Sequence, residues 1–206
     1  MENFNRTKHW ETIYQTKKLE EVSWFQATPT TSLDFLNEHK LPLHAKIIDI
    51  GGGDSFFVDH LLEIGYTDVT VLDISASALD RAKQRLGAKA DLVQWIVADA
   101  ATFQSTRKYD FWHDRAAFHF LTLEDEITGY LGIVEQNTDT GALLVLATFS
   151  EQGPRKCSGI EIKQYSETSM NTRFKGNFNK LRCVTVNHLT PNNTSQNFVF
   201  CSFRKH

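Results

Sequence analysis

The stretch at residues 47–55, IIDIGGGDS, constrains this chain more than any other. An apolar, β-branched run carries an aspartate near its end. Three consecutive glycines follow, and a helical pattern begins a few residues later. Glycine reaches backbone angles that are strained for other residues and carries no Cβ, so a ligand can lie directly against the chain. A strand, a glycine turn and a helix in that order belong to a parallel α/β sheet whose ligands sit at the carboxyl ends of the strands.

The rest of the chain repeats the alternation. Residues 45–50 read as a first strand, 68–73 as a second, 92–99 as a third, a short run around Phe111 as a fourth and 141–149 as a fifth. Helices are expected over 54–65, 75–87 and 122–137. The second of these has Ser75 as N-cap and Gly87 at its end, and the third has an acidic first turn. Alternating strands and helices imply right-handed crossovers and a sheet covered on both faces. The last two apolar runs, LRCVTVNHL and QNFVFCSF, are joined by a turn too short for a crossover helix, so an antiparallel hairpin is expected at the sheet edge. Two helices precede the first strand. The expected fold is α/β: a single Rossmann-like domain with a mostly parallel seven-stranded sheet, a C-terminal antiparallel hairpin and an N-terminal helical cap. The cap covers residues 1–44, and 45–206 form one folding unit.

Composition narrows the partners. The net charge is −3 and Lys and Arg form no stripe, so no nucleic acid is expected. No apolar stretch approaches the ~20 residues that span a membrane. Residues 1–10 have no apolar signal core, which places the chain in the cytoplasm as an expectation. Cys157, Cys183 and Cys201 have no metal-ligand spacing and read as reduced, small apolar residues, so no metal is expected.

The glycine loop admits two ligand classes. A dinucleotide needs a third glycine where this chain has Phe56, and Asp49 just before the loop would repel a pyrophosphate. S-adenosylmethionine carries an ammonium and a sulfonium and no phosphate, so the charges favour it. Asp73 lies 20 residues after Gly53 at a strand end, where a carboxylate accepts both ribose hydroxyls. Asp99 closes the third strand, where it can accept the exocyclic amine of adenine. Ile74 and Ala100 flank these two acids.

These residues resemble the class I S-adenosylmethionine-dependent methyltransferases, from about Ala45 to the end of the chain. The family loop reads acidic-x-Gly-x-Gly-x-Gly, and here Asp49, Gly51 and Gly53 match it with Ser55 in the third glycine position. HWETIY and SWF resemble a pattern in small lysine-methyltransferase-like members, and thiopurine-methyltransferase-like members are also similar. The resemblance implies that Trp10, Tyr14 and Trp24 close over the cofactor. It also places FWHDRAAFHF, taken to follow the fourth strand, beside the reactive methyl. His113 and Asp114 are therefore the expected catalytic residues and Arg115 the partner of the cofactor carboxylate, while His119 is expected to be a satisfied core residue. The polar, turn-rich stretch after the fifth strand, with Cys157 and Ser158, reads as a surface loop that by position should line the acceptor side. The implied partners are S-adenosylmethionine, S-adenosylhomocysteine and an unidentified methyl acceptor, either protein lysine or small molecule. A non-catalytic S-adenosylmethionine binder and an NAD(P)-dependent oxidoreductase are the alternatives.

Overall fold

A computed structural model describes residues 4–206. The apolar runs form β1 (Lys46–Ile50), β2 (Asp68–Asp73), β3 (Val93–Val97), β4 (Tyr109–Arg115) and β5 (Thr138–Phe149). A short hairpin, β6 (Lys156–Cys157) and β7 (Ile160–Glu161), precedes the long strands β8 (Phe178–Leu189) and β9 (Ser195–Lys205). The helices are α1 (Arg6–Thr16), α2 (Thr30–Glu38), α3 (Phe57–Ile64), α4 (Ala76–Leu86), α5 (Glu124–Gln136) and α6 (Glu167–Phe174).

The seven-stranded sheet has the order β3-β2-β1-β4-β5-β9-β8. Pairs from β3 to β5 are parallel, while β9 runs antiparallel to β5 and β8 antiparallel to β9. The chain lays down β1, β2 and β3 outward and then returns to place β4 on the other side of β1. That reversal opens a crevice beyond the carboxyl ends of β1 and β4. Strand alternation decides which side chains stand where. Ile47, Phe111 and Val145 pack with α2 and α3 on one face, and Ile48, Trp112 and Leu144 pack with α5 and α6 on the other. The caps behave as their residues predict. The Ser75 hydroxyl accepts from the Ala78 N–H at 3.1 Å, and Gly65 ends α3 at φ 106°.

Three expectations are corrected. First, β4 does not end near Phe111 but runs through Arg115, so His113 and Asp114 lie inside the sheet. Second, the stretch after β5 contains the β6–β7 hairpin and α6; Ser166 caps α6 by accepting from the Ser169 N–H at 3.2 Å. Third, Cys183 and Cys201 form a disulfide. They stand directly opposite each other in the β8–β9 register with Cα atoms 4.1 Å apart, which sequence spacing alone does not reveal, and Cys157 is the free cysteine.

Candidate functional site

The loop after β1 needs its glycines for both angle and space. Gly51 and Gly53 adopt φ +64° and +47°, in the left-handed region. A Cβ at Gly51 would stand 2.6 Å from the Ala117 Cβ, and one at Gly53 would stand 2.8 Å from the Tyr14 hydroxyl and 3.0 Å from Asp73 Oδ2. Missing side chains thus bring the loop against α1, the end of β2 and the turn after β4. Ala116 in that turn is itself left-handed, at φ +71°.

These elements enclose a cavity of about 790 Å³ counting the solvent in its open mouth. Trp10, Tyr14, Trp24, Gly51, Asp73, Ile74, Asp99, Ala100 and Arg115 all line it. Helix α1 lies over one side. The Arg81 guanidinium donates to the carbonyls of Tyr14 (3.0 Å) and Lys17 (2.9 Å), and Glu11 accepts from the Ser77 N–H at 3.2 Å. Trp10 and Tyr14 meet Trp24 edge-on at 5.8 and 6.0 Å, and Trp10 meets Phe120 at 4.9 Å.

Asp73 is 5% exposed, and burial pushes its carboxyl up to about 7. The Ser75 N–H donating at 2.8 Å opposes that shift, while Asp54, Asp49 and Glu11 add repulsion. A buried carboxylate at the cavity wall is a strong acceptor for hydroxyl donors. Burial, with Asp73 and Asp54 nearby, also keeps the Tyr14 phenol protonated well above its ordinary value. Asp99 accepts from the Ala101 N–H at 2.8 Å and from Arg6 at 3.1 Å, and Arg6 also reaches Glu126 at 2.5 Å. Arg6 therefore ties the start of α1 to the far wall.

Four expected site residues stand behind the cavity wall. Gly53 shapes the loop from behind. Asp49 is 2% exposed and lies beneath Gly52, whose added Cβ would stand 2.6 Å from Asp49 Oδ2. His113 is likewise 2% exposed. Its Nδ1 lies 2.6 Å from Asp49 Oδ1, its Nε2 lies 2.9 Å from the Ser32 hydroxyl, and its ring packs on Phe57 at 4.2 Å. Asp114 faces the opposite side of the sheet. It accepts from the Tyr130 hydroxyl (2.6 Å) and from the N–H groups of Ala117 (2.9 Å) and Phe118 (3.1 Å), while Trp112 donates to Tyr130 at 3.0 Å. Burial raises the Asp114 carboxyl to about 6. Neither His113 nor Asp114, the residues expected to be catalytic, lines the cavity. Both side chains are consumed by internal bonds because β4 continues past them. His113 positions the β1 loop through Asp49, and Asp114 holds the turn that carries Ala116 and Ala117. His119 is buried, with Nδ1 accepting from the Phe149 N–H at 3.2 Å; its Nε2 has no partner, and burial pushes the ring down to about 3.

Several wall residues carried no motif. Arg6 belongs to no recognisable spacing. Phe149 and Phe198 are strand residues that reach the cavity because β5 and β9 extend to its edge, with Gln196 beside them and Cys157 on β6. Position at or beyond the carboxyl end of β5 was the available signal, for Phe149 and for Cys157.

The comparisons with known proteins agree with this geometry. A family described as methyltransferase domain matches residues 47–131, the span from β1 into α5 that holds the glycine loop, Asp73 and Asp99. Mouse "EEF1A lysine methyltransferase 2" is 29% identical over 80 residues, covering 35% of this chain and 33% of that protein. "Malonyl-[acyl-carrier protein] O-methyltransferase" of Anoxybacillus flavithermus is 29% identical over 140 residues, covering 62% of this chain and 52% of that protein. The chain thus spans about a third to a half of these curated relatives. The solved N-methyltransferase NodS of Bradyrhizobium japonicum, in complex with S-adenosylhomocysteine, superposes with a TM-score of 0.72 at 15% identity over 98% of this chain and 99% of that one. The matched span is the one that builds the loop and its two acids, and the fold of the whole chain is that of the solved S-adenosylmethionine-dependent methyltransferases.

Proposed function

We propose that the protein transfers a methyl group from S-adenosylmethionine to a nucleophile held at the β4–β5–β9 side of the cavity. The observation that carries this reading is the buried Asp73 carboxylate facing the cavity beside a glycine loop with no Cβ. The residues fit the cofactor. Asp73 accepts the ribose hydroxyls, Asp99 with Ala100 takes the adenine edge, and Ile74 and Trp10 pack its faces. Gly51 lets the methionine portion lie along the backbone and Gly53 holds the turn of the loop, with Asp49 contributing negative charge from beneath. When bound, S-adenosylmethionine supplies a methyl on a sulfonium; the nucleophile's lone pair forms the new bond, and the carbon–sulfur pair stays on sulfur as S-adenosylhomocysteine.

The protein's share of the reaction is positioning and exclusion of water. Among the described residues, no ready base faces the β4–β5–β9 side of the cavity: His113 is bonded away, burial raises the Cys157 thiol to about 11, Tyr14 stays protonated, and Asp73 stands at the end of β2. Alignment then supplies the acceleration, and effective molarities of well-oriented groups reach about 10⁵–10⁸ M. Against a dinucleotide, Phe56 fills the third-glycine place, with Arg85 4.2 Å above its ring and Phe25 6.0 Å away.

The test is transfer of tritium from methyl-labelled S-adenosylmethionine into separate small-molecule and protein fractions of a cell lysate. Label should appear in one of them with the wild type and be abolished by excess S-adenosylhomocysteine. No label in either fraction, with the cofactor nonetheless binding, would instead support a non-catalytic binder.

A further inference from the structure

The resemblance implies that Arg115 meets the cofactor carboxylate; in the structure its guanidinium sits at the β9 side of the cavity. The guanidinium lies 5.1 Å over the ring of Phe198 on β9, and Nη1 donates to the Trp24 carbonyl at 3.0 Å. Burial, and after it the Arg115 charge, depresses both His119 and His188. Nε and Nη2, the two nitrogens of one edge of the fork, are buried without a partner among the described residues. A buried guanidinium edge with both donors unpaired is costly unless a ligand satisfies it, and its geometry matches a carboxylate bidentately. Around it stand Trp24, Phe120, Phe149 and Phe198, with Gln196 and Cys157 as the neutral polar groups. Among the described residues lining the cavity, the carboxylates are Asp73 and Asp99, at the ends of β2 and β3; Asp49 lies behind the loop on His113. The β4–β5–β9 end therefore offers one cation, no anion and aromatic walls.

We propose that this end binds a small organic carboxylate with a flat apolar body, held by the Arg115 fork, and rejects the ammonium group of a lysine. The inference rests on the proposed cofactor site, because it assigns the ends of β1, β2 and β3 to the cofactor and leaves this end for the acceptor. It gives Arg115 a role in acceptor specificity. Charge and the missing base agree: an ammonium would meet a like charge and find no group to take its proton.

The experiment titrates benzoate and benzylamine, two probes of similar shape and opposite charge, into protein saturated with S-adenosylhomocysteine. Benzoate should bind and benzylamine should bind at least about tenfold more weakly. Arg115→Met should weaken benzoate roughly 10- to 100-fold while S-adenosylhomocysteine affinity stays within about threefold. Arg115→Lys, which keeps the charge and loses the fork, should fall between them. Retained S-adenosylhomocysteine binding shows that each variant is folded. Benzylamine binding as well as benzoate, or benzoate unchanged in Arg115→Met, overturns the inference and leaves the cofactor site standing. Loss of S-adenosylhomocysteine affinity in Arg115→Met also overturns it, by returning Arg115 to the cofactor carboxylate. Failure of S-adenosylhomocysteine to bind the wild type removes the cofactor reading and this inference together.

Discussion

Replacing Asp73 with alanine is expected to weaken S-adenosylhomocysteine binding about 100-fold, since two hydrogen bonds to a charged acceptor are worth about 3 kcal/mol. The fold should survive. Burial holds the Asp73 carboxyl at about 7 in the folded protein, against about 3.9 in an unfolded chain. The folded state therefore keeps this proton more tightly. The group's contribution to stability is full below about 4 and lost as pH rises toward about 7. Near pH 7.5 the alanine variant gives up no stabilising charge. The same shift sets the pH dependence of binding. Ribose hydroxyls donate best to the ionised carboxylate, so binding expels a proton below about 7. Affinity should fall there by at most about tenfold per pH unit and level off above. Calorimetric titrations from pH 5.5 to 8.5 check both statements. Equal affinity in Asp73→Ala, or a flat pH profile in the wild type, would remove Asp73 from the site.

Replacing His113 with alanine should act on stability. The side chain joins Ser32 on α2 to Asp49 on β1, and all three are buried. Alanine leaves the buried Asp49 oxygen without its imidazole partner, and leaving a buried charged acceptor unsatisfied costs about 3 kcal/mol. In a domain of this size that is a melting-point drop of roughly 10 °C. The fraction that remains folded should bind S-adenosylhomocysteine within a few-fold of the wild type. A variant that melts like the wild type but transfers no methyl group would return His113 to the chemistry.

Much of the sheet was legible because its signals are local. The glycine loop, the caps at Ser75 and Gly65, and the short link before β9 each follow from one or two residue types. Asp73 and Asp99 were legible because strand ends in this topology share one edge. The errors came from length and register. Nothing in YDFWHDR shows where a buried strand stops, so residues inside β4 were taken for residues beyond it. The Cys183–Cys201 pair depends on which residues face each other across β8 and β9, which the sequence does not state. Arg6, Gln196 and Phe198 reach the cavity only through tertiary packing.

The central claim is that this crevice holds S-adenosylmethionine and its product. Calorimetric titration of the wild type with S-adenosylhomocysteine and, separately, with NADH tests it most directly, with tryptophan fluorescence followed in parallel. S-adenosylhomocysteine should give a saturable one-site isotherm and change the emission of Trp10 and Trp24, which line the cavity, while NADH gives neither. Saturable NADH binding with no response to S-adenosylhomocysteine would contradict the account.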